Sequence, residues 1–285
     1  MISSSANHPQ ALPSPQVPDN TTRRRRLRAL AADQWLRWAV VIAILALWQL
    51  ATVIFEIPKF LVPSPTVIAQ ALWTYRATLL TNTIPTVEEA AAGFILGNLI
   101  AIVLATWFVH VRTARQALYP LAIVIQSIPM VALAPVFVVA MGTGFSSKVA
   151  MTTLISFFPT LVNATRGFDA VERPLIELFQ SVNASRRDIY VKLRFPNALP
   201  YIFLGLRVTA TSSVIGAVIA EWVGAQEGLG FMVINSTYEF NAPMLWATLV
   251  VSSALVLCVF ALVAVAERFV VPWQASAELA TGGKQ

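Results

Sequence analysis

Six apolar runs divide the chain, at residues 39–55, 90–109, 118–141, 149–162, 200–223 and 246–266. Each reaches or approaches the roughly 20 residues that a helix needs to cross a ~30 Å hydrocarbon core. The pattern predicts an all-α, polytopic membrane helical bundle with about six transmembrane helices. The fourth run is short and contains Pro159. The third contains Pro120, Pro129 and Pro135, which remove backbone donors, so a bend or break is expected that neighbouring helices must satisfy.

A different pattern lies between the fourth and fifth runs. Pro174 suits the first turn of a helix, and Leu175, Leu178, Phe179 and Val182 follow at helical spacing as one apolar stripe, with Glu177 and Gln180 on other faces. Asn183 comes next, and Asn tolerates the left-handed conformation that ends helices. After Ala184, Ser185 and Asp188 form an S-x-x-D capping box, so a second helix is expected to start at once. It carries Ile189, Tyr190 and Leu193 on one side, and Pro196 is expected to stop it. Two readings fit this pair of short amphipathic helices: interfacial helices lying on the bilayer, or a compact corner on which a partner docks.

Composition agrees with a membrane protein: 57% of the 285 residues are hydrophobic and 12% charged, against about 25% charged in soluble domains. Residues 1–22 hold four prolines and no periodicity, and they lack the apolar run of a secretory signal. Structure is expected to begin near Arg23. Residues 1–34 are taken as a disordered basic N-terminal tail, 35–273 as the membrane domain and 274–285 as a C-terminal tail. The run Arg23–Arg26 precedes a span directly, which favours a topology anchor over a nucleic-acid patch. With the N-terminus in the cytoplasm, every Lys and Arg except Lys59, Arg76, Lys148 and Arg207 falls on the cytoplasmic side. Arg207 sits about two turns inside the fifth run and is expected to snorkel to the interface. The two short helices are then cytoplasmic.

Catalytic chemistry is not written into the chain. There is no phosphate-binding loop, because the only Gly-Lys pair ends the sequence at Gly283 and Lys284. His8 and His110 form no metal cluster or catalytic triad, and no metal site is expected. Cys258 stands alone in the last run, where inert packing is expected. In the fifth run Thr209, Ser213, Gly216 and Ala220 share one helical face, read either as close helix packing or as the lining of a substrate path. Gly93 and Gly97 form G-x-x-x-G, again a packing signal. Glu221, near the end of the fifth run, either faces a substrate path or is a satisfied interfacial acid.

The segment ELFQSVNASRRDIYVKLRFPNALP at residues 177–200 resembles the loop that defines permease subunits of ATP-binding-cassette importers. Glu177 matches its acid, Asn183 stands at its Gly, and Leu199 with Pro200 match its ending, while Leu178 and Phe179 replace two alanines. Further stretches are similar to the branch that imports nitrate, sulfonates, taurine and vitamin-like heterocycles: LVPSP (61–65), SIPMVALAPVF (127–137), MGTGFSSK (141–148), FFPTLVN (157–163) and GAVIAEWVGAQEGLG (216–230). The resemblance spans about 35–273 and implies a type I importer permease in the bacterial inner membrane. Two permease copies, expected to be a homodimer, would pair with two ATPase subunits and an external substrate-binding protein. Residues 166–198 become the coupling loop, with Glu177, Leu178, Phe179, Val182, Asn183, Ala184 and Ser185 docking the ATPase. No cofactor is expected on this chain; ATP and Mg belong to the ATPase. A secondary transporter is the alternative; it would normally carry buried acids or a broken-helix repeat in the two halves, and the apolar runs show neither pattern.

Overall fold

The computed structural model describes residues 20–273, with side chains described from residue 35 onwards. The expectations for residues 1–19, including His8, and for 274–285 lie outside them. The first unit, residues 1–57, contains helix α1 (Asn20–Ile54). Its stretch Trp35–Ile54 has mean hydropathy 1.9 and is long enough to span a membrane. The helix begins at Asn20, not after residue 34 or near Arg23. Beyond Pro18 the sequence offers Arg, Leu and Ala without Pro or Gly, all strong helix formers, so the helix extends back through the basic run.

The second unit, residues 58–285, is built around three long helices: α3 (Arg76–His110), α6 (Phe145–Asp169) and α9 (Phe195–Glu221). The short helix α2 (Pro65–Thr74) precedes α3. Side-chain pairs give the directions. Glu89 meets Lys148 and Asn98 meets Thr160, so α3 and α6 run parallel. Thr86 meets Glu221 and Asn98 meets Thr209, so α9 runs antiparallel to both.

Parallel α3 and α6 require the chain to return between them. That return is made by α4 (Arg112–Gln126) and α5 (Met130–Met141), which meet at 99° across residues 127–129. Pro129 has no N–H to continue the ladder, and Ser127 Oγ donates to the Val124 carbonyl at 2.6 Å. The expected third run is therefore two helices meeting at a sharp bend, as its prolines led one to expect.

The α3–α6 contact is made possible by small residues. A Cβ on Gly97 would lie 2.5 Å from the Thr153 carbonyl oxygen and 2.9 Å from Ser156 Cβ. Because the first obstacle is backbone, no side-chain rotation relieves it. At the far end, Ala105, Phe108, Phe158, Leu161, Phe168 and Ile202 close an apolar core. Pro159 does not interrupt α6, which runs well beyond 149–162 at both ends; Asn163 Nδ2 donates back to the Pro159 carbonyl at 2.7 Å.

The last elements are α10 (Leu229–Tyr238) and α11 (Ala242–Val270). Ala71, Leu79, Leu229, Met232 and Ala247 cluster where α2, α3, α10 and α11 meet. Arg207 does not simply snorkel. Its Nε lies 2.5 Å from Glu267 Oε2 of α11, joining the two helices by an ion pair. Cys258 is exposed on α11 rather than packed. Among the described residues five helices are long and apolar enough to cross a membrane, or six where the bent α4–α5 pair counts as one span.

Candidate functional site

The corner between the two short helices forms by local rules. Helix α7 (Arg173–Ser181) has Pro in its first turn, as expected. Its C-terminal end is closed two residues beyond Ser181 by Asn183, whose φ of 57° is left-handed. The Ala184 N–H donates to the Phe179 carbonyl at 3.0 Å and the Asn183 N–H to the Gln180 carbonyl at 2.9 Å. Those two bonds are the Schellman pattern, which satisfies carbonyls the helix end would otherwise leave open.

Ser185 then starts α8 (Arg186–Ile189): its Oγ accepts from the Asp188 N–H at 3.1 Å and lies 2.5 Å from Asp188 Oδ2. Asp188 also pairs with Lys192 at 2.7 Å. The helix does not stop at Pro196. Residues Tyr190–Arg194 form a π-helical turn that leads straight into α9, with Pro196 in the first turn of α9. A first-turn proline needs no intrahelical donor, so it begins this helix instead of ending the previous one.

Tyr190 anchors the corner to the bundle. Its hydroxyl is 2.9 Å from Thr106 Oγ1 of α3, and its ring packs against His110 and Phe168. The apolar stripe of α7 has no such cover: Leu178 is 59% and Val182 70% exposed. Leu175 and Glu177 are exposed too, whereas Phe179 and Ala184 are half-buried. Asn183 and Ser185 are exposed and shape the backbone.

At the opposite end of α3 lies a polar network that the sequence pattern missed. Lys148 Nζ donates to Glu89 Oε1 at 2.8 Å, with both side chains buried. The expected spans 90–109 and 149–162 each begin one residue beyond this pair, which puts both charges just outside them. An ionisable residue within one turn of an apolar run was the available signal. A cavity of about 790 Å³ adjoins the pair, lined also by Glu88, Gln226 and Glu227.

Glu221 is buried in the same region. Its Oε1 accepts from Thr86 Oγ1 at 2.6 Å and its Oε2 from the Gly230 N–H at 2.5 Å. Thr86 Oγ1 accepts in turn from the Leu229 N–H, and Asn82 Oδ1 from the Gly228 N–H, each at 2.9 Å. Gly228 has φ 110°, which allows this tight approach of loop to helix. Glu221 thus holds the start of α10 against α3 and α9. Thr209, Ser213 and Gly216 are buried as well. Thr209 donates to Asn98 Oδ1 at 3.0 Å, Thr160 donates to the same oxygen, and a Cβ on Gly216 would meet Ile155. Thr209 and Gly216 thus sit at contacts between helices, and Ser213 Oγ donates to the Ala210 carbonyl of its own helix.

The structure is a helical bundle of the length and apolarity to pass a membrane several times, with a bent helix pair and a capped corner between α7 and α8. Residues 97–272 match the family of binding-protein-dependent transport system inner membrane components, and the chain belongs to that family. It is 32% identical over 232 residues to the formylaminopyrimidine transport permease protein ThiX of Halalkalibacterium halodurans, covering 81% of this chain and 92% of the relative. It is 31% identical over 256 residues to the riboflavin transport system permease protein RibX of Chloroflexus aurantiacus, covering 88% and 96%. In fold it is similar to a solved amino acid ABC transporter, with TM-score 0.58 and 15% identity over 70% of this chain and 97% of that one. The chain is the inner-membrane permease of an ATP-binding-cassette importer. In this family the ATPase is a separate chain and transport depends on a binding protein.

Proposed function

We propose that the α7–α8 corner is the coupling element on which the ATPase docks, within a permease domain spanning 35–273 and a coupling loop at 166–198. The observation that carries this reading is the exposed apolar stripe of α7, Leu175, Leu178 and Val182, on a helix fixed by caps and by Tyr190. A rigid apolar knob transmits a push, because burying its side chains contributes affinity and its caps resist bending. Glu177, Phe179, Ala184 and Ser185 complete the knob. ATP and Mg are bound by the ATPase. With one coupling loop proposed per chain, two permease copies, a homodimer, would serve the two ATPases that the type I resemblance implies.

The corner and the N-terminus face the cytoplasm in this reading. Arg112, Arg115, Arg166, Arg173, Arg186, Arg187, Lys192 and Arg194 gather at the corner's end, as basic residues do on the cytoplasmic side. The cargo is a small nitrogen heterocycle, supported by the relatives named for formylaminopyrimidine and riboflavin. A cleft of about 700 Å³ between α3, α5 and α6 is lined by Leu96, Phe137, Phe145 and Phe157, with Ser146 and Thr153 and no charge. Such a wall suits a planar ring better than a sulfonate, which would need cationic donors. Uptake of labelled pyrimidine and flavin by cells expressing the complete importer tests this reading. Competition by aliphatic sulfonates but not by heterocycles would overturn the cargo assignment and leave the docking surface untouched.

A further inference from the structure

Behind the corner lies a second cavity, of about 270 Å³, lined by His110, Ile176, Gln180, Arg186, Tyr190 and Arg194 among others. We propose that this cavity binds a phosphoryl group, supplied by an anionic lipid headgroup or by soluble phosphate, and so fastens α7 to the end of α3.

The charges are one-sided. Two guanidiniums and an imidazole meet here, and no carboxylate lines the space. Arg186 and Arg194 form no ion pair among the described residues. Of the nearby acids, Asp188 pairs with Lys192 at 2.7 Å and Asp169 with Arg115 at 2.5 Å, while Glu177 is exposed and does not line the cavity. Two forked donors converging on a small space match the oxygens of a phosphate, to which each can donate charge-assisted hydrogen bonds. Gln180 and Tyr190 add neutral polar groups at the rim.

The position separates this site from the docking stripe. On α7, Ile176 and Gln180 lie one turn apart on the cavity side, while Leu175, Leu178 and Val182 share another face. A ligand in the cavity therefore sits beneath the knob and leaves its apolar surface free. His110 is the last residue of α3 and Arg194 directly precedes α9, so the cavity lies at the ends of two long apolar helices, where a lipid phosphate can reach it once those helices cross a bilayer. The cytoplasmic leaflet is rich in anionic lipid. Which leaflet supplies the lipid depends on the orientation proposed above, whereas the convergence of the two guanidiniums does not.

Purified full-length protein in neutral detergent is titrated with short-chain phosphatidylglycerol, short-chain phosphatidylcholine and inorganic phosphate. Adducts are read by native mass spectrometry and by the shift in thermal unfolding. The expected result is preferential retention of phosphatidylglycerol, weakened by about tenfold or more in the Arg186→Gln/Arg194→Gln double variant. The Arg187→Gln control, outside the cavity, keeps wild-type binding, and Arg186→Lys/Arg194→Lys, which keeps the charge but loses the forked donors, binds between the two. Displacement by millimolar inorganic phosphate would assign a soluble anion; retention of the lipid despite phosphate would assign the headgroup. Equal binding of both lipids with no response to phosphate overturns the proposal, as does wild-type binding by the glutamine pair. If the glutamine pair unfolds early without ligand, the single variants decide: wild-type binding by stably folded Arg186→Gln and Arg194→Gln also overturns it.

Discussion

Lys148 of α6 reaches Glu89 of α3 at 2.8 Å, and both side chains are at least nine-tenths buried. The two parallel helices are thus joined by a charge pair one turn from the point where Gly93 packs against Thr152. Removing one partner leaves the other charge buried without compensation, which costs roughly 3–5 kcal/mol, whereas replacing both is close to neutral. Lys148→Met is therefore expected to lower the thermal unfolding temperature of the detergent-purified protein sharply. The Glu89→Leu/Lys148→Met double variant recovers most of the loss. A single variant as stable as wild type would show that the pair contributes nothing to holding α3 on α6.

The Gly97 contact makes a second packing prediction. Because its missing Cβ would run into the Thr153 carbonyl at 2.5 Å, Gly97→Val forces the helices apart. A loss of about 1–3 kcal/mol is expected from such overpacking, read as lower yield of folded protein and earlier unfolding. Ala150→Val, on the open wall of the apolar cleft, serves as the control. Indistinguishable melting of the two variants would contradict the close approach.

These helices were legible in the apolar runs because lipid imposes a length that chance seldom supplies. Their ends were not. Pro85 and Pro159 look like helix stops, yet both lie inside helices here, α3 and α6. In the same way Pro196, read as a stop, opens α9. A proline reports only that one donor is missing, and neighbouring helices decide whether that matters. The corner was readable to the residue, since Asn183, Ser185 and Asp188 act through bonds only a few residues long. Lys148–Glu89 and Glu221–Thr86 span 59 and 135 positions, and no local pattern records such partners.

Topology follows from the charge distribution. Cysteines introduced at Ser146 and Asn235, both exposed, are expected to react with a membrane-impermeant thiol reagent added to intact cells. One at Ser185 is expected to stay unlabelled until the cells are opened. Labelling is scored in a Cys258→Ser background, because the native thiol is itself exposed. The reverse pattern would place the corner outside and remove its access to any ATPase.

The left-handed corner is tested at Asn183, where φ is 57°. Glycine adopts that conformation freely, whereas a β-branched residue is strained there by about 1–3 kcal/mol. Asn183→Gly is expected to support wild-type uptake, and Asn183→Val to reduce it at equal membrane abundance. Equal uptake by the two variants would mean that the position of the knob does not depend on this backbone turn.

The docking stripe itself is best probed at Leu178 and Val182, which are more exposed than the half-buried Phe179. A substitution at Phe179 would disturb the seat of α7, confusing local stability with binding. Leu178 and Val182 make few contacts within the chain, so their replacement leaves the fold alone. Burying a Leu or Val side chain is worth about 1.5–3 kcal/mol, and each 1.4 kcal/mol changes an association constant tenfold. Leu178→Asp is therefore expected to weaken ATPase binding by roughly tenfold to a hundredfold, and desolvation of the new carboxylate adds to the loss. Two copies of the permease would carry the defect at both corners. The expected outcome is normal membrane abundance, loss of ATPase co-purification and loss of uptake, with Val182→Asp behaving alike. Retention of the ATPase and of full uptake by both variants would show that the stripe faces the bilayer instead, because an interfacial helix loses membrane contact, not a protein partner, when its apolar face is charged.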